Sequence, residues 1–168
     1  MPPVRTSRRG FLRLLGKALL AGTGGTIGGY SYITRLEPGW IQVERVTIAI
    51  PGLNDDLDGM RLVHVSDIHL YPYTELDLVH TAVNLINRQS PDIVLMSGDF
   101  VTEATEGAEA IEDLVPVISA LDPRVGSFAC LGNHDWWCGP RVIRQGLRKA
   151  GVVVLENEGV ALEYGGSY

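Results

Sequence analysis

The chain has 168 residues, of which 45% are hydrophobic and 20% charged, a balance that suits one globular domain and excludes a disordered polymer. The net charge of −6 is unevenly spread: residues 1–36 carry six basic side chains and no acidic one, leaving 8 basic against 20 acidic over the remainder, a net −12. A body that acidic repels polyanions, which excludes nucleic-acid binding through a basic face and leaves cation binding open.

The N-terminus reads as an address. Ser7-Arg8-Arg9-Gly10-Phe11-Leu12 resembles a twin-arginine export signal: paired arginines, one spacer, two bulky apolar residues. An uncharged, glycine-rich run of 17 residues follows, from Ala18 to Thr34, at the short end for a membrane span. No A-x-A cleavage site stands out, so the segment can remain attached as an anchor. Gly24 and Gly28 are read as signal composition rather than as a helix-pairing G-x-x-x-G. Gly10 to Lys17 fails as a phosphate loop, because the glycine spacing is wrong and Ala18 replaces the hydroxyl residue. Residues 1–40 are therefore set apart as a signal and candidate anchor, and residues 41–168 as the folded body. The expected partner is the twin-arginine translocase, and the expected location is membrane-anchored, periplasmic or extracellular.

The body alternates strands and helices. Residues 40–51 (WIQVERVTIAIP) alternate apolar and polar side chains and predict a strand ending at Pro51. Asp55, Asp56 and Asp58 sit in a turn and lack the spacing of a calcium loop. A strand is predicted over 60–66. A helix over 75–90 carries Leu76, Val79, Val83 and Ile86 at helical spacing, and Pro91 stops it. Residues 92–98 read as a strand buried on both faces. A helix over 106–121 is interrupted at Pro116, and Glu103, Glu106, Glu109, Glu112 and Asp113 form its solvated, acidic start. A strand over 124–132 and a helix over 139–151 follow, the latter with Pro140 at its start and Gly151 as its stop. A strand, a turn and a second strand fill 152–166. The pattern predicts an α/β sheet covered by helices.

Three strand ends carry side chains able to do chemistry. VSDIHL supplies Asp67 and His69. LMSGDF supplies Gly98 and Asp99. CLGNHDWW supplies Gly132, Asn133, His134 and Asp135. In open α/β sheets function collects at the carboxyl ends of strands. Carboxylate, imidazole and amide donors suit borderline divalent ions such as manganese, iron or zinc, and no thiolate takes part. The glycines let the backbone turn sharply and come close.

D-x-H, G-D and G-N-H-D, in this order on successive strands, resemble the calcineurin-like metallophosphoesterases over roughly residues 42–165. The resemblance is to exported members similar to UDP-2,3-diacylglucosamine pyrophosphatase-like phosphodiesterases. It implies the N-terminal half of a four-layer α/β/β/α sandwich and two divalent metal ions (manganese, iron or zinc). Asp67 and His69 would bind the first ion, Asp99 would bridge both, and Asn133 would bind the second. His134 would face the leaving group and Asp135 would hold and polarise it. The nucleophile would be a bridging hydroxide attacking a phosphodiester or pyrophosphate in line.

The resemblance also implies further histidines that this chain does not supply. It has four histidines. His64 lies within a predicted strand and is read as a packed core or face residue, and His80 lies mid-helix and is read as solvated. The expectation is a truncated chain that binds metal weakly and hydrolyses little. The alternative is a non-catalytic domain that binds metal or a partner at the envelope; a Rossmann-type binder lacks the glycine fingerprint. Cys130 is read as a buried small hydrophobe, and a Cys130–Cys138 disulfide as disfavoured. Trp136 and Trp137 either pack in their loop or, with Tyr71 and Tyr73, wall an apolar, lipid-linked substrate. Packing is preferred for Trp137, and for Trp136 the two readings stand even.

Overall fold

The computed structural model describes residues 8–32, 39–102 and 107–165. Ser7 of the arginine motif, Thr34 at the end of the uncharged run, and Glu103 and Glu106 of the acidic start lie outside the described residues. The chain divides into two compact units, Met1–Val46 and Thr47–Tyr168.

The first unit holds α1, Arg8–Ser31, a helix of 24 residues with no buried side chain. At 1.5 Å per residue it is about 36 Å long. Thr23 donates to the Leu19 carbonyl at 2.9 Å and Thr26 to the Gly22 carbonyl at 3.1 Å, so these hydroxyls are satisfied within the helix. No helix among the described residues is both long and apolar enough to cross a membrane.

The second unit is a parallel sheet in the order β1-β2-β3-β4, formed by Leu62–Val65, Ile93–Met96, Gly126–Ala129 and Val153–Val154. The helices are α2 (Leu76–Asn87), α3 (Gly107–Ile118), α4 (Asn133–Cys138) and α5 (Pro140–Lys149). Val63, Val65, Val94, Met96, Ala129 and Val154 pack in one cluster with Val79 and Val83 of α2, Ile111 and Leu114 of α3, and Ile143 and Leu147 of α5. These helix positions recur at three- and four-residue spacing, which places each apolar stripe on the sheet. At the amino ends of the strands, the buried Asp92 carboxylate accepts from the Arg61 amide at 2.7 Å and the Arg124 guanidinium at 3.1 Å. Asn87 joins the end of α2 to the end of α3: it donates to the Ala120 carbonyl at 2.7 Å and accepts from the Asp122 amide at 3.0 Å.

The α/β class and the parallel sheet match the expected partial sandwich. The opposite face of the sheet carries Leu62, His64, Leu95, Cys130 and Val153, all exposed. Thus Leu95 corrects the expectation that the second strand is buried on both faces, and Cys130 is exposed rather than buried. Neither Cys130 nor Cys138 forms a disulfide.

Other expectations are corrected as well. Residues 40–50 form no strand, and Val46 and Ile48 are each 74% exposed. Alternation describes which side chains want burial; it does not supply the neighbouring strand a ladder requires. Of the predicted strand–turn–strand over 152–166, only Val153–Val154 forms a strand among the described residues. Pro116 does not interrupt α3, because it lies in the last turn and the helix ends two residues later. Finally, Asn133–Cys138 forms a helix where a loop was expected, with Gly139 at φ 111° linking it to α5. The Glu109, Glu112 and Asp113 side chains are exposed as expected.

The approach of α3 to α5 depends on Gly146, where a Cβ would overlap the Ile111 side chain. Gly146→Ala gains about 1 kcal/mol of helix propensity, but overpacking costs about 1–3 kcal/mol. The expected result by urea unfolding is net destabilisation in the wild-type background and stabilisation in an Ile111→Ala background. Equal effects in both backgrounds would refute the steric account.

Candidate metal centre

Three loops meet at the carboxyl ends of β1, β2 and β3. The first two run side by side: the Asp67, His69 and Leu70 amides donate to the Gly98, Asp99 and Phe100 carbonyls at 3.1, 2.9 and 3.0 Å. Asp67, His69 and Asp99 take positive φ values of 54°, 47° and 54°. Left-handed backbone costs a non-glycine residue of order 1–3 kcal/mol, and Asp and His are among the types that adopt it. The strain falls on the predicted metal ligands themselves.

The second and third loops interlock. A Cβ on Gly98 would stand 2.7 Å from the Gly132 Cα, and one on Gly132 would stand 2.6 Å from the Asp99 amide nitrogen. Both positions require glycine for close approach.

Asp135 holds this junction. Its fully buried carboxylate accepts the Asp99 amide at 2.8 Å, the Gly132 amide at 2.9 Å, the Phe100 amide at 2.9 Å and the Val101 amide at 3.4 Å. Burial pushes its pKa above the ordinary carboxylate value, against the downward pull of these four amides. The expectation that Asp135 holds the His134 ring is corrected. Its hydrogen bonds go to backbone amides, and the His134 Nδ1 lies instead 2.8 Å from the Thr102 carbonyl.

Around this frame the donors converge. His69 Nε2 lies 3.7 Å from Asp67 Oδ1 and 3.8 Å from Asp99 Oδ2. Two donors each about 2.1 Å from one ion are about 3.0–4.2 Å apart across the usual coordination angles. His69 thus stands at shared-ion distance from each of the two carboxylates, while Asp67 lies outside the group of mutually close donors. Asp99 Oδ1 meanwhile accepts the His134 amide at 2.9 Å, so the carboxylate is aimed by one oxygen and leaves the other facing His69. The His134 ring meets the His69 ring edge-on, with centroids 4.8 Å apart at 87°. His69, Asp99 and His134 each offer a donor atom within 4.8 Å of the others. Asp67 remains open to solvent on its side chain, and Ser66 Oγ hydrogen-bonds its other oxygen. Asn133 is exposed on the first turn of α4.

Two residues outside the expected ligand and catalytic set touch the histidines, one of them, Trp137, expected as a packing residue or substrate wall. Thr102 is buried and touches both histidines: its carbonyl meets His134, and its hydroxyl lies 3.5 Å from His69 Nδ1. Nothing local in the sequence marks it, since the contacts cross about thirty residues. Trp137 packs against His134 with centroids 4.9 Å apart at 58° and is still 68% exposed. His64 lies on the open sheet face, 2.8 Å from Ser97 Oγ and exposed rather than packed in the core; His80 is exposed, as expected.

Asp135→Ala leaves four buried amides without their acceptor, at about 1–3 kcal/mol for each group left unsatisfied and not refilled by water. Urea unfolding is expected to show a loss of at least about 3 kcal/mol, against less than about 1 kcal/mol for His134→Gln. Comparable losses for the two variants would refute the clamp.

The profile of the calcineurin-like phosphoesterases matches residues 60–166. The chain is 30% identical to phosphodiesterase YaeI of Escherichia coli over 160 residues, which are 93% of this chain and 56% of that protein. It is 32% identical over 131 residues to the uncharacterized metallophosphoesterase YkuE of Bacillus subtilis, covering 78% and 46% of the two chains. Over 105 residues it is 36% identical to the UDP-2,3-diacylglucosamine pyrophosphatase LpxG of Chlamydia trachomatis, covering 62% and 31%. The chain thus spans about half the length of the first two relatives and a third of the last. All three strand-end clusters fall within the matched segment, and the chain belongs to the calcineurin-like phosphoesterase family.

Proposed function

We propose that this chain carries the metal-binding strand ends of an enzyme that hydrolyses a phosphodiester or pyrophosphate bond. The observation that carries the reading is His69 Nε2 set 3.7 and 3.8 Å from the Asp67 and Asp99 carboxylates, with His134 edge-on beside it. Asp67, His69 and Asp99 would hold one divalent ion; Asp99 and Asn133 would contribute to a second. Bound there, a divalent ion lowers the pKa of water and polarises a phosphoryl oxygen. The chain's own residues orient the reaction. Asp99 is aimed by the His134 amide. His134, tied through Nδ1, presents Nε2, which once protonated donates to the leaving-group oxygen.

The substrate we infer is lipid-linked and belongs to the cell envelope. Trp137 packs on His134 while exposed, and Trp136 beside it is 57% exposed. An aromatic surface next to a polar centre suits an apolar chain attached to a phosphate. LpxG, a relative, is named for a diacylated nucleotide sugar. The arginine pair Arg8-Arg9 and the uncharged run from Ala18 to Thr34 support export by the twin-arginine translocase with retention at the membrane. The second reading is a metal-binding domain without turnover. It is favoured by the fact that only His69 and His134, of four histidines, reach the centre.

The test is hydrolysis of bis-p-nitrophenyl phosphate with manganese by the protein and by Asp99→Asn. Loss of a shared ligand is expected to lower kcat/KM by at least about 100-fold. An unchanged rate in Asp99→Asn would sink the ligand assignment. Manganese binding with no hydrolysis by the unaltered protein would favour the second reading.

A further inference from the structure

We propose that Thr102 is the positioning residue of both imidazoles, its backbone working on His134 and its hydroxyl on His69; the inference deepens the metal-centre reading and rests on it. The argument starts from donor chemistry. A carbonyl oxygen only accepts, so the 2.8 Å contact between Thr102 O and His134 Nδ1 requires the proton on Nδ1. The neutral His134 ring therefore keeps its lone pair on Nε2, the nitrogen available to the centre. On the other ring, Nε2 of His69 faces the two carboxylates. For that nitrogen to bind a cation its proton must move to Nδ1, where it needs an acceptor. The Thr102 hydroxyl, 3.5 Å away and buried, is placed to be that acceptor.

One residue can serve both rings because of how its loop is held. The Asp135 carboxylate binds the amides of Asp99, Phe100 and Val101, which fixes the chain immediately before Thr102. The carbonyl and hydroxyl of Thr102 then project toward two rings that meet edge-on. The division of labour makes the two roles separable: substituting the side chain removes the hydroxyl and leaves the carbonyl in place.

The experiment uses Thr102→Val, which keeps the shape and deletes the hydroxyl, and Thr102→Ser, which restores it. Long-range nitrogen–proton correlation spectra of the metal-free protein with labelled histidine report each ring's tautomer, with His134 assigned by its loss in His134→Gln. His134 is expected with its proton on Nδ1 in the wild type and in both Thr102 variants. A proton on Nε2 would overturn the carbonyl role. Calorimetric titration with zinc alone reads the second role: about 10- to 100-fold weaker binding in Thr102→Val and recovery to within about threefold in Thr102→Ser. Wild-type affinity in Thr102→Val would overturn the hydroxyl role, as would failure of Thr102→Ser to recover while its thermal unfolding matches wild type. Neither readout depends on turnover. A protein that shows these tautomers and affinities yet hydrolyses no phosphoester would refute the proposed function and leave this inference standing.

Discussion

Four backbone amides converge on one buried carboxylate, that of Asp135. The centre depends on this arrangement, because it ties the loop after β3 to the loop after β2. Without it, the amides of Asp99, Phe100 and Val101 would face a dry junction unsatisfied. Burial of a carboxylate is costly by itself. Here the cost is offset by donors that have no other acceptor, so carboxylate and amides are each the reason the other can be buried.

The same junction accounts for the backbone strain. Asp67, His69 and Asp99 are held at positive φ, a state that persists only where surrounding contacts over-determine it. Two hydrogen-bonded loops and a pair of interlocked glycines provide that constraint. The result is a set of donors placed before any ion arrives. Preorganisation of this kind removes the ordering cost from binding, which strengthens a site built from few ligands.

The layer arrangement is one-sided among the described residues. Helices α2, α3 and α5 cover one face of a parallel sheet, and Leu62, Leu95 and Val153 lie exposed on the other. Parallel sheets are ordinarily covered on both faces. The α and β layers match the first half of the sandwich that the family resemblance implies.

How much was legible in the sequence follows from the range of each interaction. The strands at 62–65, 93–96 and 126–129 and the helices at 76–87, 107–118 and 140–149 come from hydrophobic periodicity, turn residues and proline placement. These act within a dozen neighbours, so the chain alone determined them, together with the order in which Asp67, His69, Asp99, Asn133, His134 and Asp135 appear at strand ends. What lies thirty residues apart was decided only by the tertiary structure. The family resemblance implies Asp135 behind His134; the fold turns it toward the Asp99 loop, and the Thr102 carbonyl takes the ring. Cys130 was expected inside because its strand is apolar, yet it faces the open side of the sheet. Residues 40–50 have the alternation of a strand but form none. Periodicity states what a side chain prefers, whereas a hydrogen bond or a covered face requires a particular partner, and only the folded chain brings partners together.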